Sequence, residues 1–350
     1  MIYRLLFLML FIPSIAFGAS QNYAVTSAGA GDGSGQDASD DFDWQNAMSY
    51  AQFETYIEDA PTAGDTFYFM GGETYILTSD LGSAAIDGTS TAPYLFIGVA
   101  SGTTAEPPTP SDWAVGTDRP LFYTNTGYVI TFGDYCTVKN IKISVDDTFY
   151  ALTFGNYSEI TNSDILNNNA AGEGVYSGTY NQIINNKITA GTIGLRLTSG
   201  AALFNYIHDT DTSCIELAGT GALVGFNILD TCTVGINVNS RYGPIILNNT
   251  IYGNTTGISG TTGHQATILN NSITDSTTGI SWTNEYKNHH IDYNNYSDNT
   301  ADVNANGYIV KGPNATAANP AYTNAAGGDF SLGAGSALRN AAQTITVGVD

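Results

Sequence analysis

Aliphatic residues recur along the chain at intervals of 19 to 23 residues, in two parallel columns. The first column contains Ile130, Leu152, Val175, Leu195, Ile215, Ile236, Ile258 and Ile280, and the second contains Ile143, Ile165, Ile188, Ile207, Ile228, Ile251 and Ile273. No repeat shows the 3.6-residue periodicity of a helix. A repeat this short cannot bury its own hydrophobic face, so it must stack on its neighbours. The pattern therefore predicts a parallel β-solenoid with one turn per repeat.

Asparagines precede the second aliphatic column by three residues in most repeats: Asn140, Asn162, Asn185, Asn248 and Asn270. Asn205 and Asn227 fall out of this phase. Asparagine tolerates the left-handed backbone of a tight corner, and its amide can bond to an equivalent amide one coil away. We therefore expect the five asparagines to stack as an amide ladder.

Several repeats resemble those of a known fold family. The segments "NQIINNKITAGTIGLRL" (181–197), "IILNNTIYGNTTGIS" (245–259) and "TILNNSITDSTTGIS" (267–281) look like the repeats of the right-handed parallel β-helices of the pectate-lyase-like superfamily. The resemblance is strong over 120–300. It implies an all-β, right-handed, single-stranded parallel β-helix. The fold itself does not specify an activity.

The sequence is predicted to divide into four segments. Residues 1–18 contain Arg4, a short apolar run and a small-residue cleavage pattern, as in a secretory signal peptide, so we expect a secreted protein, extracellular or periplasmic. Residues 19–62 are predicted to form a strand, a loop and a capping helix over 43–59 with Asp43 as N-cap. The β-helix is predicted over 63–312 and a closing segment over 313–350. The mature chain contains no predicted membrane span.

The net charge of −22 argues against nucleic acid and anionic membranes as partners. It also disfavours polyanionic glycans unless a cation bridges them. The chain has three cysteines, Cys136, Cys214 and Cys232. They are too few for a disulfide framework, so buried thiols are the favoured interpretation, with a Cys214–Cys232 bridge as the alternative.

The candidate chemistry lies on the residues that follow the first aliphatic column, because these should point outward. They are Thr131, Thr153, Tyr176, Arg196, Glu216, Asn237, Ser259 and Ser281. The middle positions bring together an aromatic ring, an arginine and a carboxylate. Loop residues just upstream of these strands add Glu173, His208, Asp209, Asp211 and Asp230. The family resemblance implies a substrate cleft along this face.

Two chemistries could use these residues on an extracellular polysaccharide. A lyase that cleaves uronic-acid chains by β-elimination would take Arg196 as base or carboxylate clamp and Tyr176 or His208 as proton donor. The predicted calcium ligands of such a lyase are Glu216, Asp211, Asp209, Asp230 and Glu173. Its predicted sugar-binding residues are Asn237, Arg241 and Tyr242. A hydrolase would instead use two carboxylates from Asp211, Glu216 and Asp230.

Non-catalytic interpretations stay open. Arg196 beside Glu216 also fits a simple ion pair across neighbouring coils of an exposed sheet. The whole chain could be a surface adhesin that binds glycan without cleaving it. It could also be a bacteriophage receptor-binding spike, which would be a trimer, whereas the other interpretations favour a monomer.

Overall fold

The computed structural model describes residues 21–37, 41–59, 62–82, 86–239, 243–260, 265–283, 289–304 and 309–339. The chain forms a right-handed parallel β-solenoid of about 12 turns with about 22 residues per turn. The predicted fold class is therefore confirmed. The predicted signal peptide, 1–18, lies outside the described residues. Within the described part, no helix combines the length and the hydrophobicity needed to span a bilayer.

Each complete coil passes through three parallel sheets, which we name I, II and III in the order in which the coil over 130–145 passes through them. Sheet I contains β7 (Ile130–Phe132), β10 (Tyr150–Phe154), β13 (Glu173–Ser177), β16 (Ile193–Leu197), β19 (Ser213–Leu217), β22 (Val234–Val238), β25 (Thr256–Gly260), β28 (Thr278–Trp282) and β31 (Ala301–Val303). Sheet II contains β1 (Asn22–Thr26), β2 (Met48–Ser49), β3 (Thr66–Met70), β5 (Tyr94–Val99), β8 (Cys136–Lys139), β11 (Glu159–Thr161), β14 (Asn181–Ile184), β17 (Gly200–Leu203), β20 (Leu223–Gly225), β23 (Ile245–Leu247), β26 (Thr267–Leu269) and β29 (His290–Asp292). Sheet III contains β4 (Thr74–Ile76), β6 (Leu121–Tyr123), β9 (Lys142–Val145), β12 (Asp164–Asn167), β15 (Lys187–Thr189), β18 (Tyr206–His208), β21 (Ile228–Asp230), β24 (Thr250–Tyr252), β27 (Ser272–Thr274) and β30 (Asn295–Ser297).

The first aliphatic column is confirmed by the strand register of sheet I. Leu152 pairs with Val175, Val175 with Leu195, and the series continues to Ile280. All members are buried. The second column is correct with one exception: Ile207 pairs with Leu229, while Ile228 pairs with Tyr206 on the outward face. Because side chains alternate along a strand, a one-residue error moves a residue from the core to the surface.

The predicted asparagine ladder is correct for one pair of corner residues, since Asn185 Nδ2 donates to Asn162 Oδ1, but the continuous ladder lies one residue further along the chain. Asn140, Asn162, Asn185, Asn248 and Asn270 do share the corner between sheets II and III, and each has a left-handed backbone with φ between 53° and 58°. The continuous buried ladder, however, is formed by the residue that follows the corner: Asn186, Asn205, Asn227, Asn249, Asn271 and Asn294. Asn205 and Asn227, which fell out of phase in the sequence, are therefore members of it.

Each ladder amide satisfies groups on both neighbouring coils. The Oδ1 of Asn227 accepts from the backbone N–H of Asn205 at 2.9 Å and from its Nδ2 at 3.0 Å. The Nδ2 of Asn227 donates to the Ala202 carbonyl at 2.9 Å and to the Oδ1 of Asn249 at 2.9 Å. Buried amides with all partners present stabilise a fold, and each depends on the next.

The N-terminal cap is shorter than predicted. Asp43 caps a 3₁₀ turn, Trp44–Asn46, by accepting from the N–H of Gln45, and the α-helix α1 covers only Tyr50–Asp59. The intervening residues Met48–Ser49 pair with β1 and form the outermost strand of sheet II. Helix α1 buries Phe53 and Ile57, and Phe53 packs edge-on against Phe67 and Phe69. The helix thus covers the open end of the first coil, as expected for a solenoid cap.

The C-terminal segment lies along the side of the solenoid. Strands β32 (Tyr322–Asn324) and β33 (Asp329–Leu332) form an antiparallel hairpin. Tyr322 and Phe330 contact the Tyr252 ring of sheet III, and the Tyr322 hydroxyl lies 3.0 Å from that of Ser272. Beside Tyr252 and Tyr322 the hairpin borders a cleft of about 350 Å³.

The favoured interpretation of the cysteines is wrong for two of them. Cys214 and Cys232 form a disulfide across adjacent coils, with Cα atoms 5.7 Å apart. The sequence count could not show that these two residues meet. Cys136 is a buried free thiol, as expected. Burial raises its pKa to about 12, which makes it unreactive.

Candidate functional site

The outward column of sheet I has the predicted register. Tyr176 pairs with Arg196, Arg196 with Glu216, and Glu216 with Asn237, so these four residues lie on successive coils. Coils further along present Ser259, Ser281 and Asn304 at this position. In this column of the described chain, charged and aromatic side chains are therefore confined to the middle of the solenoid.

Arg196 lies between two glutamates. Its Nε and Nη2 donate to Glu173 at 3.0 Å and 2.7 Å in a bidentate pair, and its Nη1 donates to Glu216 at 2.7 Å. The Arg196 side chain is 25% exposed, Glu173 is 16% exposed and Glu216 is 10% exposed. The predicted ion pair with Glu216 is thus present, and Glu173 extends it to a chain of three charged groups across three coils.

Two tyrosines lie beside this ion-pair chain. The Tyr150 ring lies 5.1 Å from the Tyr176 ring, and Tyr150 pairs in register with Glu173. The sequence analysis missed Tyr150 because it followed only the residue after each aliphatic anchor. The signal was available: Tyr150 precedes Glu173 by one repeat, so the two residues occupy equivalent positions. We call Tyr150, Glu173, Tyr176, Arg196 and Glu216 the sheet I cluster.

Electrostatics keep the proton-bearing groups of the cluster protonated. The hydrogen bonds that Arg196 donates to Glu173, reinforced by the charges of Glu173 and Glu216, raise the pKa of Arg196 above its usual range even though burial opposes this. Burial and the negative charge of Glu173 raise the pKa of Tyr150. Arg196 therefore stays a cation that cannot accept a proton, and Tyr150 is neutral at ordinary pH.

His208 belongs to a separate cluster on sheet III. Its Nδ1 lies 2.7 Å from Asp209 Oδ2, and its Nε2 lies 3.1 Å from the Thr189 hydroxyl. Its ring stacks on Tyr206, whose hydroxyl donates to Asp230 at 3.3 Å. Both ring nitrogens of His208 therefore have partners within sheet III, and this arrangement does not depend on the sheet I cluster.

Four of the five predicted calcium ligands are divided between these two clusters. Glu173 and Glu216 bind Arg196, Asp209 contacts His208, and Asp230 contacts Tyr206. Asp211 is exposed in the loop before β19. Among the residues that the structure describes, no group of three or more His, Cys, Asp or Glu side chains could hold a metal ion. The calcium site stays a prediction from the sequence, and we derive no step through it.

The remaining predicted sugar contacts are only partly described. Asn237 lies one coil beyond Glu216, on the same outward column. Arg241 and Tyr242 lie outside the described residues. The sheet I cluster thus offers carboxylate acceptors, a guanidinium and two phenol groups on a half-exposed face. Such a set can hydrogen-bond to hydroxyl groups and pack an aromatic ring against an apolar surface.

Residues 124–295 match the family model described as a right handed beta helix region. The chain contains a right-handed β-helix region. The sheet I cluster and the asparagine ladder both lie inside the matched part of this region. No curated protein matches the sequence significantly.

Solved structures with this β-helix are similar in fold but distant in sequence. The structure of pectate lyase Pel9A has a TM-score of 0.58 and 12% identity, and the match covers 95% of this chain and 94% of that one. The A-module of the mannuronan C-5 epimerase AlgE4 from Azotobacter vinelandii has a TM-score of 0.40 and 13% identity over 84% of this chain and 100% of that one. An alginate lyase from Paenibacillus sp. str. FPU-7 has a TM-score of 0.36 and 11% identity over 77% of this chain and 97% of that one.

Proposed function

We propose that this β-helix binds an extracellular polysaccharide along the outer face of sheet I, at the sheet I cluster. The observation that carries the proposal is the contrast along one outward column. Serine, threonine and asparagine occupy its ends, whereas the middle coils carry the tyrosine pair beside the Glu173–Arg196–Glu216 chain. The fold likeness to a pectate lyase agrees with a polysaccharide ligand, although fold alone does not assign function.

The geometry of the cluster suits an extended sugar chain. Successive coils lie about 4.8 Å apart, so the cluster spans roughly 14 Å along the solenoid axis. Carboxylate oxygens and the remaining N–H groups of Arg196 can accept from and donate to sugar hydroxyls. The Tyr150 and Tyr176 rings offer apolar surface next to these polar groups, which is the usual composition of a ligand site.

The charge of the cluster favours a neutral glycan over a polyuronate. Two glutamates and one arginine leave the cluster with one net negative charge, within a chain of net charge −22. Arg196 already donates to both carboxylates, so it offers a sugar carboxylate little unpaired charge. We therefore favour binding of a neutral polysaccharide as the main function.

Cleavage of a uronic-acid chain by β-elimination is the second candidate. It is favoured by the presence of Arg196 and two phenol groups on the same half-exposed face. Because Arg196 is held protonated, its role there would be to clamp the sugar carboxylate, not to act as the base. A carboxylate of the cluster, Glu173 or Glu216, would accept the proton from C5 of the uronic acid, while neutral Tyr150 would donate a proton to the leaving oxygen. The calcium-dependent form of this reaction stays a prediction from the sequence.

The test is a panel of purified neutral and uronic-acid polysaccharides, assayed for binding by calorimetry and for cleavage by the ultraviolet absorbance of unsaturated sugar ends. We expect the wild-type chain to bind at least one neutral glycan. Tyr150→Ala with Tyr176→Ala should weaken that binding at least tenfold, since each ring loses its stacking area. Ser259→Ala lies on the same column three coils beyond Arg196 and is the matched control.

Two results would overturn the main proposal. The first is a wild-type chain that binds no member of the panel. The second is a tyrosine double variant that binds as tightly as the Ser259→Ala control. Unsaturated ends released from a uronic-acid chain, and lost in Arg196→Met, would instead support the lyase.

A further inference from the structure

The outer face of sheet II is apolar in its middle coils. Its outward positions on β14, β17, β20, β23 and β26 are occupied by Gln182, Ile184, Ala201, Leu203, Leu223, Gly225, Ile245, Leu247, Thr267 and Leu269. None of these ten residues is charged. The aliphatic ones are half-buried, and no helix or further sheet of the described chain packs extensively against these strands. We call these ten residues the sheet II face.

Two exposed phenylalanines extend this surface around the corner to sheet III. Phe204 is 54% exposed and Phe226 is 42% exposed, and their rings stack 5.0 Å apart. Both occupy corner positions with a left-handed backbone, where neighbouring coils have Asn185 and Asn248. An apolar patch of this extent on a chain of such high net charge is typical of an interaction surface.

The residues of the sheet II face follow a pattern that is nearly symmetric about β20. In one outward column, Leu223 is flanked by Ala201 and Ile245, then by Gln182 and Thr267, and then by Glu159 and His290. In the other column, Gly225 is flanked by Leu203 and Leu247, then by Ile184 and Leu269, and then by Thr161 and Asp292. In the first column, apolar, polar and charged positions therefore occur at equal distances on both sides of the centre. The second column matches as far as Ile184 and Leu269, and its ends differ because Thr161 stands opposite Asp292.

The centre of the face is also flat. A Cβ added to Gly225 would lie 3.3 Å from Leu203 Cδ2 and 3.3 Å from Leu247 Cδ1. The two leucines therefore close over the glycine and leave no gap. A flat surface between symmetric flanks is what two-fold packing requires, since each residue must meet the symmetry-related position of the other copy.

We propose that a second copy of this chain covers the sheet II face in an antiparallel dimer, with the two-fold axis passing through the β20 coil. In this arrangement Leu223 meets Leu223 of the other copy, Leu203 meets Leu247, and Ile184 meets Leu269. The small Ala201 meets the larger Ile245, and Gln182 meets Thr267. At the ends of the face, Glu159 meets His290, which carries the opposite charge when protonated.

Size and charge both support a second copy as the partner. Between β11 and β29, each copy would contribute about twenty residues to the interface, counting the outward residues and the corner residues. This is near the lower end of the ~20–30 residues that each partner contributes to a standard interface. Two chains of net charge −22 repel each other over most of their surfaces. The uncharged sheet II face offers a surface on which close approach does not bury like charges.

The first test measures the mass of the full chain in solution by sedimentation velocity over a range of concentrations. We expect the wild-type protein to have twice the monomer mass. Leu203→Glu with Leu247→Glu should be monomeric over the same range, because the dimer would bury four unpaired carboxylates. Val115→Glu replaces an apolar residue that is 73% exposed elsewhere, and it should remain dimeric. Circular dichroism of each variant checks that the β-helix has formed.

The second test uses single cysteines, which perturb the face less than glutamate does. Leu223→Cys should form an intermolecular disulfide on mild oxidation, because the residue lies on the two-fold axis. Gln182→Cys alone should not, since its copies would be four coils apart, roughly 19 Å along the axis. A mixture of Gln182→Cys and Thr267→Cys should link, because these positions meet in the antiparallel dimer.

Several results would overturn the proposal. A wild-type protein that is a monomer at every concentration would do so. If deletion of 340–350 from such a monomer allowed the sheet II face to bind a hydrophobic dye, the chain's own C-terminal residues, and not a second copy, would be what covers the face. A dimer that survives the double glutamate substitution would place the interface elsewhere. Efficient linking by Gln182→Cys alone would indicate parallel packing, and a trimer would exclude the two-fold axis.

Discussion

Two rows of polar residues run along this β-helix. One row has the same residue type on successive coils, and the other does not. The buried row uses asparagine on six successive coils, from Asn186 to Asn294, and each amide bonds to the next in the same way. The row on the outer face of sheet I changes residue type at every coil between Tyr176 and Asn237. A row that repeats the same residue stabilises the coils themselves, because every coil has the same backbone groups that need hydrogen-bond partners.

The row that does not repeat cannot be explained in this way. The coils at Ser259 and Ser281 form the same sheet without any ion pair or aromatic side chain at this position. The Glu173–Arg196–Glu216 chain is therefore not needed to build a coil. Comparison of equivalent positions thus separates residues that maintain the solenoid from residues that are free to serve a ligand.

The largest expected effect is the loss of one ladder amide. Asn227→Ala removes hydrogen bonds to Asn205, Asn249 and the Ala202 carbonyl, and it leaves their buried groups without partners. We expect the free energy of unfolding to fall by about 4 kcal/mol, measured by denaturant titration. Asn248→Gly is the control, since a glycine adopts its φ of 55° freely, and it should change stability by less than about 0.5 kcal/mol. Equal losses in both variants would refute the assignment of the ladder.

The second effect concerns the disulfide beside the non-repeating row. Cys214 lies on β19, the strand that carries Glu216, and its link to Cys232 closes an 18-residue separation. Cys214→Ala with Cys232→Ala should lower the free energy of unfolding by about 3 kcal/mol, because the unfolded chain gains freedom. A reducing agent should destabilise the wild type by a similar amount and leave the double variant unchanged. A wild type that is indifferent to the reductant would show that the bridge contributes nothing.

The sequence predicted the interior far better than the surface. Column members such as Leu195 and Ile215 could be aligned because the interior imposes one residue type at one spacing. The ladder was misplaced by one residue because Asn-Asn pairs such as Asn185-Asn186 supply two candidates, and only the second is buried. Asn205 and Asn227 indicated the correct position, because in their coils phenylalanine occupies the corner and asparagine is present only at the following, buried position.

The candidate site was predicted in part. Register fixed the contact between Arg196 and Glu216, because strand neighbours must meet. The loop residues could not be placed, because their directions depend on the corner geometry. Asp209, for example, has a left-handed backbone with φ of 55° and contacts His208 on sheet III. The carboxylates that looked close in sequence therefore belong to different faces.

A smaller effect is expected from the arginine of the sheet I cluster. Arg196→Met leaves Glu173 and Glu216, whose side chains are 16% and 10% exposed, without their cation. We expect a decrease of about 2 kcal/mol in the free energy of unfolding, between the small loss for an exposed ion pair and the ~3–5 kcal/mol for a fully buried one. Adding Glu173→Gln and Glu216→Gln should restore most of it, because no unpaired charge remains. Glycan binding should stay impaired in both variants, and recovery of binding in the triple variant would remove Arg196 from the site.

The smallest effect distinguishes the sheet I cluster from an ordinary surface ion pair. Lys139 Nζ lies 3.7 Å from Glu159 on the adjacent coil of sheet II and 5.9 Å from the centroid of the Trp113 ring, and the Lys139 and Glu159 side chains are each about one quarter exposed. Lys139→Met should change the free energy of unfolding by less than about 0.5 kcal/mol, since an exposed pair gains little over hydration. The measurement is the same denaturant titration, at low and at high salt. A loss as large as that of Arg196→Met would mean that any ion pair between coils stabilises the solenoid, and the case for a ligand site on sheet I would then rest on the tyrosines alone.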